Sequence, residues 1–137
     1  MQIMNNIRNT KNRDKIISIL KSHSLPLKLE EIHKLVTVSL PQTAFSTVFR
    51  IVSKLEESER VIRVDWRERG SHFEWADRPH HHHIVCQVCG KAADITSEVL
   101  DIDEKKVKSQ TGFKVKEHFF ELEGICEGCQ NKLNSSQ

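Results

Sequence analysis

The sequence predicts an α+β protein in two halves: a helical half ending in a basic hairpin, then a small α/β half clipped together by a metal ion. Three observations carry this. Apolar residues recur at helical spacing in three successive segments of the first half. The period then changes to strands flanking a loop with two arginines. All four cysteines lie in the second half, as Cys86-Gln-Val-Cys89 and Cys126-Glu-Gly-Cys129.

In chain order, Asn12 to His23 places Ile16, Ile17 and Leu20 at helical spacing, with Thr10 or Asn12 as N-cap, and Ser24-Leu25-Pro26 breaks the helix. Leu29, Ile32, Leu35 and Val36 mark a second short helix. Pro41 precedes a third, where Phe45, Val48, Val52 and Leu55 form one buried stripe. The other face of that helix carries Thr43, Ser46, Thr47, Arg50 and Lys54. Val61 to Trp66 and His72 to Trp75 are expected strands around the hairpin loop Arg67 to Ser71. Three short helices followed by a basic hairpin is the outline of a winged helix, an N-terminal DNA-binding domain over 1–79 with a hinge at about 76–80.

In 80–137, His80 to Val85 and Ala92 to Ile95 are expected strands around the first cysteine pair. Ser97 is expected to cap a helix running to about Gln110, with Val99, Ile102 and Val107 inward, and Gly112 to end it. Phe113 to Val115 and Glu117 to Glu123 follow as strands, then the second cysteine pair and a short polar tail.

Bulk properties narrow the class. The chain has 137 residues, room for one ordinary domain or two small ones. No run approaches the roughly 18 apolar residues of a membrane span. Met1 to Thr10 lacks the apolar core of a secretory signal, so a cytoplasmic protein without a membrane partner is expected. The net charge of +2 is uneven: residues 1–79 hold 14 Lys and Arg against 10 Asp and Glu, and residues 80–137 hold 7 against 9. Such asymmetry suits a nucleic-acid face at one end, although a solvated helix surface would look the same.

The cysteine pairs are the most specific signal. Intracellular proteins do not normally keep structural disulfides, so two C-x-x-C pairs point to thiolate ligands of one zinc ion, with a redox dithiol as the alternative. Cys86, Cys89, Cys126 and Cys129 would make a tetrahedral S4 site whose two turns enclose 36 residues. A 58-residue half buries too little surface to be secure alone, so a structural Zn²⁺ makes physical sense.

Next is His80-His81-His82-His83. On a strand, side chains alternate faces, so His80 and His82 point one way and His81 and His83 the other. The tetrad can thus feed two sites. Imidazole with carboxylate suits Zn²⁺, Fe²⁺, Mn²⁺ or Co²⁺ better than Mg²⁺ or Ca²⁺. The bland alternative is a solvated polar strand.

Several motifs together resemble the ferric uptake regulator family of bacterial metalloregulators across nearly the whole length. They are Thr10-x-x-Arg13, Ser46-Thr47-Val48-Phe49-Arg50, the run His80 to Lys91, Gly112-Phe113-x-Val115, and Gly124-x-Cys126-x-x-Cys129. The resemblance implies a homodimeric repressor whose winged helices bind a near-palindromic double-stranded DNA operator when a sensing site is metal-loaded. It implies structural zinc at the four cysteines and a regulatory divalent metal, Zn²⁺, Fe²⁺ or Mn²⁺, at Glu74, His81 and His83. His80, His82, Asp101 and His118 match a further site in the dimerisation half, and Asp94 matches an acid that ligates metal in some members. At the DNA, it implies Ser46, Thr47, Phe49 and Arg50 in the major groove, Arg13 and Lys15 near phosphates, and Arg67 or Arg69 at the wing.

Three positions depart from the family. Pro26 stands where many members place a sensing histidine, and neither His23 nor His33 is in register. The sensing site is therefore incomplete, differently ligated or weaker. Phe49 replaces a recognition-helix tyrosine, losing one hydrogen bond while keeping apolar contact with a thymine methyl. Glu59 stands where a glycine usually ends the third helix; a left-handed conformation there costs about 1–2 kcal/mol.

Rival readings are a zinc deaminase, a metal buffer and a peroxide sensor of the same fold. His72-Phe73-Glu74 before Cys86-x-x-Cys89 superficially resembles the deaminase signature, but Val85 replaces its proline and only 11 residues separate Glu74 from Cys86. The deaminase would also leave the second cysteine pair unemployed. The basic hairpin and the third helix argue against a buffer. The peroxide sensor remains open at this level.

Overall fold

The computed structural model describes residues 2–77, 81–96 and 98–135. The chain divides into two compact units, Met1–Arg78 and Pro79–Gln137. Among the described residues no helix is long and apolar enough to cross a membrane.

The first unit runs α1 (Gln2–Ser22), α2 (Leu29–Ser39), α3 (Phe45–Glu57), β1 (Val61–Trp66), a 3-10 turn (Arg67–Arg69) and β2 (Gly70–Trp75). The strands form an antiparallel hairpin with Val61 opposite Trp75 and Trp66 opposite Gly70. Leu27, between α1 and α2, exchanges two backbone hydrogen bonds of 2.8 Å with Phe73, which ties the helices to the hairpin. Ile16, Leu20, Ile32, Val36, Val48, Val52 and Leu55 are almost fully buried and pack with Phe73 and Trp75 in one core. Arg63 on β1 donates twice to the Glu56 carboxylate on α3, both at 2.9 Å.

Two sequence expectations are corrected here. α1 begins at Gln2, so Thr10 and Asn12 lie inside the helix and cap nothing. Asn12 is buried, and its side-chain oxygen accepts from the Thr43 hydroxyl at 2.8 Å, locking α1 to the segment before α3. A polar residue that looks like a cap can equally be a satisfied core polar group. In α3 the buried set is Val48, Ile51, Val52 and Leu55, while Phe45 is exposed and packs edge-on against His33.

The second unit holds β3 (His81–Cys86), β4 (Ala92–Thr96), α4 (Glu104–Thr111), β5 (Glu121–Gly124) and α5 (Glu127–Ser135). The sheet order is β4-β3-β5, with β4 antiparallel and β5 parallel to β3. The parallel pairing requires a crossover, which α4 supplies.

Ser97, the expected cap, lies outside the described residues. The α4 cap is Asp103, whose carboxylate accepts from the Lys106 amide at 3.1 Å. Val99 therefore precedes the helix and is exposed, not inward. Gly112 does end α4, in the left-handed region at φ 77°. Of the strands expected over 113–123, only Glu121–Gly124 forms. The expected polar tail is the helix α5, whose first turn carries the last cysteine.

Candidate metal centres and nucleic-acid interface

The four cysteines come from three places: Cys86 from the end of β3, Cys89 from the turn after it, Cys126 and Cys129 from the start of α5 and the residue before it. Their sulfur atoms all lie within 4.8 Å of one another. Cys89 Sγ and Cys126 Sγ are 3.7 Å apart. With a Zn–S bond near 2.3 Å, the edge of a ZnS4 tetrahedron is about 3.8 Å, so the donor set fits zinc. Backbone amides reinforce it. Cys126 N–H and Cys89 N–H point at Cys86 Sγ at 3.4 and 3.5 Å, and Lys91 N–H at Cys89 Sγ at 3.4 Å. Gly90, at φ 82°, makes the tight turn that aims the first pair.

These contacts set the acidities. The Cys126 amide, followed by that of Cys89, holds the Cys86 thiol down to about 5. Cys129 is pushed up to about 12, first by its interaction with the Cys126 sulfur and then by burial. One sulfur ionises readily because backbone amides point at it, and another resists because it is hydrogen-bonded to a neighbouring sulfur and buried. A divalent cation removes that disparity.

β3 also carries the histidines. His81 and His83 share one face, their rings 4.9 Å apart at the centroids. His82 faces the other way, against His118 at 5.2 Å and Phe120 at 5.8 Å. His80 lies outside the described residues. Asp101 sits ahead of α4, its carboxylate accepting from the next amide, Ile102, at 3.0 Å. Asp94, the acid that the resemblance marks as a ligand in some members, lies on the His83 face. Asp94 is the cross-strand partner of His83, with Oδ1 at 3.5 Å from His83 Nε2. On the far side of β3, Glu121 is in register with the same histidine, with Oε1 at 3.3 Å from Nδ1. Glu121 carries no sequence signal, being one acid in an acid-rich strand. Glu74 stands on β2 of the first unit, opposite Ile62.

The nucleic-acid candidates cluster on the first unit. Ser46, Phe49 and Arg50 are exposed along α3, with Thr47 half-buried beside them. Arg13 of α1 and Arg50 and Lys54 of α3 line one cleft of about 250 Å³ with Asn9, Thr10 and Ile51. Lys15 is not part of it: two residues along a helix turn a side chain by about 200°. It lines a different hollow with Lys11, Asp14 and Ser39. Arg67 and Arg69 flank the hairpin tip, which turns at Gly70 with φ 78°.

Known proteins are similar to this chain along most of its length. A model of the Ferric uptake regulator family matches residues 4–123. The ferric uptake regulation protein of Campylobacter jejuni is 27% identical over 128 residues, covering 92% of this chain and 82% of that protein. The peroxide operon regulator of Bacillus subtilis is 30% identical over 128 residues, covering 93% and 88%. The solved ferric uptake regulator of Helicobacter pylori, with three functional metal-binding sites, superposes with a TM-score of 0.81 at 25% identity, covering 94% and 89%.

Proposed function

The chain belongs to the Ferric uptake regulator family, and on that premise we propose that it is a cytoplasmic, homodimeric, metal-responsive transcriptional repressor rather than an enzyme. The observation that carries this is the cationic cleft joining Arg13 to Arg50 and Lys54, beside the exposed Ser46 and Phe49. An α-helix fits the major groove, where Arg50 can read a guanine and Phe49 can meet a thymine methyl. Arg13 and Lys54 are placed for phosphates, with Arg67 or Arg69 at the wing and Lys15 at the margin.

Dimerisation is supported by the second unit's surface. Val99, Phe113 and Phe119 are 73–83% exposed, and Leu122 and Leu133 are also open. Large apolar side chains left in water on so small a unit favour association. Two winged helices related by a two-fold axis then read a near-palindromic operator.

In this reading, Cys86, Cys89, Cys126 and Cys129 hold a structural Zn²⁺. Glu74, His81 and His83 hold the regulatory Zn²⁺, Fe²⁺ or Mn²⁺, with Asp94 able to join them because it faces His83. His80, His82, Asp101 and His118 form a further site in the second unit. The regulatory ion supplies a positive charge that carboxylate and imidazole can share.

The test is retardation of operator-length duplex DNA by protein holding zinc at the cysteines, with each divalent metal added in turn. Metal-dependent, salt-sensitive retention supports the reading. DNA binding indifferent to every metal overturns it. A peroxide-sensing regulator is the second reading, favoured by the likeness to the Bacillus peroxide regulator. Loss of DNA binding when Fe²⁺-loaded protein, but not Mn²⁺-loaded protein, meets hydrogen peroxide would select it.

A further inference from the structure

His83 is 2% exposed and sits in the centre of a three-residue row running across the sheet: Asp94 on β4, His83 on β3, Glu121 on β5. Each ring nitrogen faces one carboxylate. Nε2 is 3.5 Å from Asp94 Oδ1, and Nδ1 is 3.3 Å from Glu121 Oε1. We propose that Glu121 is a positioning residue for the regulatory metal: it accepts the Nδ1–H of His83 and so reserves Nε2 for the ion. The inference rests on the function proposed above.

A neutral imidazole carries one proton, on Nδ1 or Nε2, and only the bare nitrogen can ligate. A free ring divides itself between the two tautomers. A carboxylate on one side fixes the proton there, holds the ring plane and makes the opposite nitrogen more basic. Two carboxylates on opposite sides of one ring compete for that proton, so the geometry has to decide which of them wins. The Glu121 contact is the shorter, while the Asp94 separation lies at the outer limit for a hydrogen bond. That same separation matches two ligands of one ion. Nitrogen and oxygen donors about 2.1 Å from a tetrahedral metal stand about 3.4 Å apart. Asp94 and Nε2 are thus spaced to share a cation, and Glu121 and Nδ1 to share a proton.

The side chains of Asp94 and Glu121 are 30% and 29% exposed, so both carboxylates keep contact with water while the ring between them is dry. His81, its ring edge-on to His83, is kept in place by the same fixed ring plane.

The test uses full-length protein with Zn²⁺ at the cysteines and Co²⁺ as probe of the regulatory site. Glu121→Ala should weaken Co²⁺ binding about 10–100-fold while leaving the ligand-field absorption bands of the loaded site unchanged, since no ligand is lost. Glu121→Gln, whose amide oxygen accepts the same hydrogen bond, should recover much of the affinity. Nitrogen NMR of the metal-free protein, at alkaline pH where imidazole is neutral, should show His83 protonated on Nδ1 in the wild type and in Glu121→Gln. In Glu121→Ala it should show a tautomer mixture. Thermal melts and zinc content should match across the three proteins. Altered absorption bands in Glu121→Ala would make Glu121 a ligand and overturn the proposal, as would unchanged affinity and tautomer. Wild-type protein whose DNA binding ignores metal would overturn the proposed function instead, and the tautomer and Co²⁺ measurements would still decide the role of Glu121.

Discussion

Cys89 and Cys126 are 37 positions apart in the chain and 3.7 Å apart at their sulfur atoms. Between them lie β4, α4 and the crossover to β5, so this one contact closes the whole second unit. The unit has few alternatives for holding itself together: among the described residues, its buried side chains are Val85, Cys86 and Cys129 with the polar His82 and His83. Cys86→Ser should therefore unfold the second unit or release monomers, because a three-thiolate site binds zinc less well and binding is coupled to folding. Circular dichroism and sedimentation of the variant check this. A folded dimer holding no metal after strong chelation would show that the cluster is not structural.

Glu59 has φ 62°, in the left-handed region that favours glycine. It closes α3 in a Schellman arrangement: Glu59 N–H bonds the Glu56 carbonyl at 3.0 Å, and Arg60 N–H bonds the Leu55 carbonyl at 2.9 Å. The loop cannot relax without losing both bonds and the turn into β1. Glu59→Gly removes strain of about 1–2 kcal/mol, offset by about 0.4–1 kcal/mol for the looser unfolded chain. The net expectation is a gain of roughly 0.5–1 kcal/mol, measured by urea denaturation. A destabilised Glu59→Gly would mean that the glutamate side chain contributes more than its backbone costs.

Arg50 and Lys54 line the same cleft but should fail differently. Arg50→Ala should cost about 1–3 kcal/mol on the operator and relax discrimination at one base pair, if its fork meets a guanine. Lys54→Ala should weaken all sequences alike and lower the salt slope by about one, as loss of a phosphate contact does. Fluorescence anisotropy over a salt series, on operator and on scrambled duplex, separates the two. Tight operator binding by Arg50→Ala would move the recognition face elsewhere.

These outcomes also show what the sequence can and cannot disclose. The hairpin, the buried stripe of α3 and the cysteine pairs depend on local period and spacing, which a single chain displays directly. The start of α4 does not: Ser97 and Asp103 are both acceptable caps by residue type, and the α4 cap is Asp103. Thr10 and Asn12 misled for the same reason, since only the packing of Asn12 on Thr43 distinguishes a buried polar residue from a cap. Glu121 and Asp94 gain meaning only when β3 sits between their strands in register. Residue type announces a ligand; which ligands share an ion is decided by strand pairing.

The alternation of the histidines gives the sharpest prediction. His81 and His83 occupy one face of β3, and His82 the other, packed against His118 and Phe120. The first pair belongs to the proposed regulatory site with Glu74. On the proposed reading, protein lacking that metal is DNA-competent only as a minor population. The loss in affinity equals the competent fraction, so a population of about 1% would cost about 100-fold. His81→Ala with His83→Ala should thus leave a folded, zinc-containing dimer whose DNA binding no longer rises with added metal. His80→Ala with His82→Ala should act on stability instead. His82 is 5% exposed, and truncating it opens a cavity between β3 and the segment bearing His118 and Phe120. That variant should melt earlier yet keep most of its metal response. Metal-titrated DNA binding and thermal melts on both double variants decide the matter. If the two pairs lose metal response equally, the two faces of β3 do not serve separate sites, and the assignment of regulation to the His81 and His83 face fails.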